Sequence, residues 1–159
     1  MEFELKLKEY KLLIYKVCRI YGNNPNDIQE LYQDIIIQLW KSYPKFRGES
    51  KFSTWLYRIA INTALMSLSR PKRALEYRDV ELHNLQVPDE DDTGLKDEQQ
   101  EQMYLAIQQL NDIEKSIVML YLEDSSYDEM EDILGISNAT LRVKMNRIKE
   151  KLRTLTNNK

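Results

Sequence analysis

The chain has 159 residues, 42 % of them hydrophobic and 31 % charged, with a formal net charge of −3, a size that suits one medium domain or two small ones. One cysteine, Cys18, and one histidine, His83, exclude an internal disulfide and leave no Cys/His set for zinc. No apolar run approaches the ~20 residues that cross a bilayer, and Met1-Glu2-Phe3-Glu4 lacks the basic and apolar regions of a signal peptide, so a cytoplasmic protein without membrane insertion is expected.

Gly and Pro number four each, and plentiful Leu, Ile, Lys, Glu and Gln predict an all-α protein. In the first helix, about 5–21, Tyr10, Leu13, Ile14, Val17, Cys18 and Tyr21 share one face, which makes Cys18 a core thiol. Gly22-Asn23-Asn24-Pro25 breaks it, and Asn26 or Asp27 is expected to cap the second helix. That helix, about 27–43, has a core stripe of Ile28, Leu31, Tyr32, Ile35, Ile36 and Leu39. Its other face carries Glu30, Gln33, Asp34, Ile37 and Lys41, with Ile37 the one apolar member. Pro44 stops the helix, 46–51 form a polar loop, and Ser53 is expected to cap a third helix to about Arg70. Phe52, Leu56, Ile59, Ala60, Thr63 and Leu65 or Met66 are its expected buried side. Three amphipathic helices with short connections make a bundle.

Between about 71 and 100 the apolar rhythm fails, and Pro88-Asp89-Glu90-Asp91-Asp92-Thr93-Gly94 is acidic. This reads as a flexible acidic linker, and His83 within it receives no role. A second small helical domain, 101–159, follows. Met103, Ile107 and Leu110 mark one helix, and Ile113, Ile117, Leu120 and Tyr121 another. Ser126-Tyr127-Asp128-Glu129 has the form of a capping box. The helix it opens ends at Leu134-Gly135, where glycine takes the left-handed conformation. Ser137 then caps a last helix to about Leu155, with Leu141, Met145, Ile148 and Leu152 expected inside.

A helix, a tight glycine turn and a basic helix form the pattern of a helix-turn-helix. Residues 138–159 hold seven Lys/Arg against one Glu, whereas 99–137 hold one Lys/Arg against nine Asp/Glu. Contact with phosphate is local, so this basic block outweighs the acidic total. No nucleophile–base pair, phosphate-cradling glycine loop or metal set is present in the sequence, so no catalytic residue, metal or cofactor is assigned.

Two stretches resemble the sigma factors of bacterial RNA polymerase. Residues 126–137, SYDEMEDILGIS, resemble that family's fourth conserved region. Residues 27–40, DIQELYQDIIIQLW, and 46–60, FRGESKFSTWLYRIA, followed by Asn62, resemble its second region. With no segment left for a first or third region, the resemblance is to the extracytoplasmic-function (ECF) type. It implies a second-region domain at 1–70, a linker at 71–100 and a fourth-region domain at 101–159.

The resemblance also implies partners and sites. Core RNA polymerase would be held by Asp27, Glu30, Leu31, Gln33, Asp34, Ile37 and Lys41. The minus-ten element of promoter DNA would be opened and held by Phe46, Arg47, Lys51, Tyr57, Arg58 and Asn62. Opening costs a few kcal/mol per unstacked base, which aromatic surface and cations offset. The minus-35 element would be read by Ser137, Asn138, Thr140, Arg142, Val143, Lys144 and Arg147. An anti-sigma factor is a further implied partner, and the free chain is expected to be monomeric. Three departures stand out. Glu131 replaces a usual small residue, Asp124-Ser125 replaces a usual Gly-Leu, and Val143 replaces a usual serine. From the residues alone, a helix-turn-helix regulator that does not bind core polymerase stays open, as does a module that binds only protein. Association with core polymerase separates the first from a sigma factor, and promoter binding by the holoenzyme excludes the second.

Overall fold

The computed structural model describes residues 2–68 and 98–157, so the linker stretch up to residue 97, with its acidic run and His83, lies outside the described residues. Every regular element among them is helical. The chain divides into two compact units, Met1–Thr93 and Gly94–Lys159.

In the first unit, α1 (Glu2–Tyr21), α2 (Pro25–Ser42) and α3 (Phe52–Leu68) pack pairwise against one another. Ile14, Val17, Cys18, Ile35, Leu39, Leu56, Ala60, Ile61 and Ala64 are buried between them. Gly22 closes α1 with its N–H donating to the Cys18 carbonyl. A Cβ there would come within 2.8 Å of Ile28 Cγ1 and 2.9 Å of that carbonyl oxygen, so the sharp turn into α2 needs glycine. The cap of α2 is Asn24, not Asn26 or Asp27: its side chain accepts from the Asp27 N–H at 2.9 Å, and Pro25 takes the first helical position. Proline is preorganised there and has no N–H to leave unsatisfied.

The third helix also departs from expectation. Ser53 lies inside it, because α3 already starts at Phe52 and the Trp55 N–H donates to the Lys51 carbonyl. Its buried side is Phe52, Leu56, Tyr57, Ala60, Ile61 and Ala64, while Met66 is exposed and Ile59, Thr63 and Leu65 are half-buried. The helix is apolar around most of its circumference, so the period alone does not select the inner stripe. A 3-10 turn, Tyr43–Lys45, joins α2 to the 46–51 loop. Here Tyr43, Phe46, Phe52 and Trp55 form an aromatic cluster, with Phe46 and Trp55 centroids 5.1 Å apart. Phe3 and Tyr10 of α1 join it, and the Lys6 ammonium sits 4.6 Å over the Phe52 ring.

The second unit is built around its last helix. In chain order it holds α4 (Glu98–Gln108), α5 (Asp112–Leu122), α6 (Tyr127–Leu134) and α7 (Asn138–Asn157), and α7 packs against the other three. Leu141, Met145 and Ile148 are the buried stripe of α7, set against Ile107, Ile117, Leu120 and Met130. Helix α4 starts at Glu98, inside the stretch expected to be linker, and carries Glu98 and Glu101 in its first turn, where they complement the helix dipole. Met103, Ile113 and Tyr121, which mark these helices in the sequence, are exposed.

Candidate functional site

Local chemistry fixes the helix-turn-helix. Ser126 and Glu129 form the capping box: the Glu129 N–H donates to Ser126 Oγ at 3.0 Å, and the Ser126 N–H donates to Glu129 Oε1 at 2.9 Å. Two orphan donors of α6 are thereby satisfied. Gly135 ends α6 at φ +72° with its N–H on the Glu131 carbonyl. Ser137 opens α7, its Oγ accepting the Thr140 N–H at 3.3 Å.

Asn138, the first residue of α7, joins the two helices. Its backbone N–H donates to Glu131 Oε1 at 2.9 Å, and its side-chain amide donates to Asp128 Oδ1 at 2.8 Å. Its amide oxygen accepts from Arg142 Nε at 2.7 Å, and the Arg142 guanidinium carbon lies 4.5 Å over the Tyr127 ring. Glu131 is exposed, so the larger residue at this departure points out of the helix contact and caps α7 in exchange. Arg142, Val143, Arg147 and Thr140 are exposed, with Val143 at 52 %, and they share the side of α7 away from Leu141, Met145 and Ile148.

A second cluster bounds that face. Asn111, Asp112, Ile113 and Glu114 line a cleft with Lys144, Arg147 and Lys151. Asn111 and Glu114 make a capping box at the start of α5, with bonds of 2.8 and 3.0 Å. Glu114 also pairs with Lys151. Burial pushes its carboxyl up, but the Lys151 hydrogen bond, the Asn111 N–H and the charges of Lys151 and Lys144 together hold it below the usual carboxylate range. Part of the basic character of α7 is thus balanced within the unit.

Residues 7–74 match the family model of sigma-70 region 2, and residues 100–152 that of sigma-70 region 4. Over 159 aligned residues the chain is 32 % identical to the ECF RNA polymerase sigma-E factor of Haemophilus influenzae, covering 93 % of this chain and 84 % of that protein. The chain belongs to the sigma-70 family. It is an ECF sigma factor, and its function is to bind core RNA polymerase and direct initiation of transcription at promoters. The RNA polymerase sigma-H factor of Pseudomonas aeruginosa is 28 % identical over 161 residues, 93 % of this chain and 82 % of that one. Two solved structures share the fold. One is the sigma factor RpoE with the anti-sigma factor NepR from Bartonella quintana, at a TM-score of 0.72, 14 % identity and coverage of 99 % and 98 %. The other is CnrH with the cytosolic domain of CnrY, at 0.69, 18 % identity and coverage of 98 % and 87 %.

Within this sigma factor the expected site residues divide by accessibility. On α2, Glu30 and Lys41 are exposed and Asp27, Gln33 and Asp34 half-buried. Leu31 and Ile37 are buried, at 5 % and 4 % exposure, which corrects the expectation that Ile37 lies outside the core. Ile37 projects roughly opposite Leu31, Ile35 and Leu39 on the helix, so α2 is covered on more than one side. Covering a lone isoleucine is favoured by the apolar area it removes from water. Trp40 was assigned no role from the sequence, yet it is 55 % exposed. A large aromatic ring left in water beside Lys41 is the signal that reading α2 as a single stripe overlooks.

Around the loop, Arg47, Lys51 and Asn62 are exposed and Phe46 and Arg58 half-buried. Tyr57 is buried at 5 %, so its assignment to a DNA-facing surface is corrected. It follows Leu56 and precedes Ala60 and Ile61 on the apolar side of α3. In the second unit, Ser137, Thr140, Arg142, Val143 and Arg147 are exposed, and Asn138 and Lys144 are half-buried.

Proposed function

We propose that the two units divide the work of this sigma factor, with residues 1–70 serving core binding and the minus-ten element, and residues 101–159 serving the minus-35 element. The observation that carries this is the division of α7, which buries Leu141, Met145 and Ile148 and leaves Arg142, Val143 and Arg147 in water behind a capped helix and glycine turn. A helix so held suits the major groove, where arginines reach base edges and phosphates. In the first unit, Glu30, Trp40 and Lys41, with half-buried Gln33 and Asp34, form the docking face for core polymerase. Arg47, Lys51 and Asn62, beside the aromatic cluster, engage the opened minus-ten strand. Phe46 and Trp55 brace that loop, since cations and stacked rings together hold unpaired bases.

The chain carries out no covalent chemistry of its own, acts in the cytoplasm where polymerase is, and is monomeric when free. An anti-sigma factor is a further partner, a reading supported by the solved RpoE, which is bound to NepR. Transcription by purified core enzyme with and without the chain, with start sites mapped, tests the whole reading. Specific transcripts that require the chain are expected. Absence of a stable complex with core would leave a helix-turn-helix regulator instead. Trp40→Ala should weaken core association with little change in stability, whereas Ile37→Glu should unfold the first unit. Asn62→Ala should reduce open-complex formation more on a duplex promoter than on a pre-melted one; equal loss on both would remove its melting role.

A further inference from the structure

Arg142 is not a loose surface cation. Its Nε–H is fixed on the Asn138 amide oxygen at 2.7 Å, and its guanidinium lies 4.5 Å over the Tyr127 ring. Asn138 is itself held from two sides, its amide by Asp128 at 2.8 Å and its backbone N–H by Glu131 at 2.9 Å. The neutral amide stands between the Asp128 carboxylate and the guanidinium, so the acid steers Asn138 by hydrogen bond without spending that bond on the arginine. Three residues of α6 therefore set one side chain of α7.

We propose that Tyr127 and Asn138, anchored by Asp128 and Glu131, are positioning residues that present Arg142 end-on for a guanine in the minus-35 element. The inference rests on α7 reading that element. A guanidinium carries five N–H donors in a rigid plane. With Nε occupied and one face on the tyrosine ring, the donors left are the paired N–H groups of the two terminal nitrogens. Two parallel donors match the O6 and N7 acceptors of guanine; adenine offers a donor where guanine has O6, and no other base presents that acceptor pair in the major groove. An arginine already held in its reading conformation also loses less side-chain freedom on binding. Discrimination between bases thus depends on α6 residues that need not touch DNA.

The test uses holoenzyme assembled from the full chain and purified core polymerase. Promoter duplexes randomised upstream of a fixed minus-ten segment are selected first, and the preferred sequence is then varied one base pair at a time. Arg142→Ala should abolish preference for guanine at one position, a loss of about tenfold or more, and 7-deazaguanine at that position should weaken wild-type binding because N7 is gone. Tyr127→Ala and Asn138→Ala should each lower the same preference severalfold, Tyr127→Phe should retain it, and neither alanine should have further effect when Arg142 is already alanine. Melting temperatures close to wild type exclude a general folding defect. Unchanged guanine preference in Tyr127→Ala and Asn138→Ala, or tighter binding by either, overturns the proposal. So does a loss in Arg142→Ala that is equal for every sequence and lowers the salt dependence, which marks a phosphate contact and leaves promoter recognition by α7 intact. A holoenzyme with no minus-35 preference at all would instead overturn the assignment of α7.

Discussion

Replacing Glu131 with alanine isolates the contribution of a side chain that caps the next helix rather than its own. Its carboxylate accepts the Asn138 N–H at 2.9 Å, one of the donors that the start of α7 cannot satisfy internally. Losing such a cap costs about 0.5–2 kcal/mol, and the favourable position of a negative charge at a helix N-terminus is part of that sum. Glu131 is exposed, so water replaces some of the bond and the lower half of the range applies. Alanine returns a few tenths of a kcal/mol through its higher helix propensity. The net loss is about 0.5 kcal/mol, or roughly 3 °C in the melting temperature of a unit this small. The molecule supplies its own control, because both tryptophans, Trp40 and Trp55, lie in the first unit. In Glu131→Ala, helix melting followed by circular dichroism should gain an earlier component while the tryptophan fluorescence transition stays in place. Glu131→Gln, which keeps an acceptor without the charge, should fall between. Wild-type stability in Glu131→Ala would refute the capping argument.

Three further outcomes follow from other contacts. Asp124 ends α5 at φ +61°, a conformation that costs most non-glycine residues about 1–2 kcal/mol, so Asp124→Gly should stabilise the second unit by about 0.5 kcal/mol after the added freedom of the unfolded chain; urea denaturation measures it. Glu114 has a depressed carboxyl pKa through Lys151, Asn111 and Lys144, so its contribution is full at neutral pH and is lost as pH falls through the carboxylate range to its folded value. Glu114→Gln should therefore be less stable than wild type at pH 7 and approach it in acid; a difference that persists unchanged at low pH would contradict the linkage. Cys18 is buried, and burial, then the nearby Asp34 charge, pushes its thiol well above the usual range. Alkylation of the folded chain should be negligible and should appear only with unfolding of the first unit.

The elements legible in the sequence were those written in adjacent residues. Ser126, Glu129 and Gly135 bound α6 through bonds that span three or four positions, and Leu141, Met145 and Ile148 recur on a helical period with polar residues between. Asn26 and Asp27 were the expected caps of α2, but Pro25 takes the first helical position and so puts the cap one residue earlier, at Asn24. Helix α3 is apolar on most sides, so its sequence permitted the Ile59–Thr63 stripe as readily as the Tyr57–Ile61–Ala64 stripe that is buried. Ile37 looked solvent-facing because its neighbours are polar, and sequence spacing contains nothing about what covers a second side of α2. The Asp128–Asn138 and Glu114–Lys151 contacts join residues 10 and 37 positions apart, and no local rule pairs them.

Helix α7 packs against the other three helices of its unit and also leaves one side in water, and this has a consequence for how such a protein changes over time. The side chains that hold the unit together, Leu141, Met145 and Ile148, project opposite to Thr140, Val143 and Arg147. Exchange on the outer face leaves packing density untouched and stays within about 0.5 kcal/mol where no special contact is lost. New binding preferences are therefore open to this chain by single steps that do not pass through an unfolded intermediate. Position 142 is the exception: its substitution removes contacts with Tyr127 and Asn138 as well, so its replacements are accepted together with changes in α6. Gene duplicates of such a chain would diverge first at the unbraced outer positions, and last at the arginine that its neighbours hold.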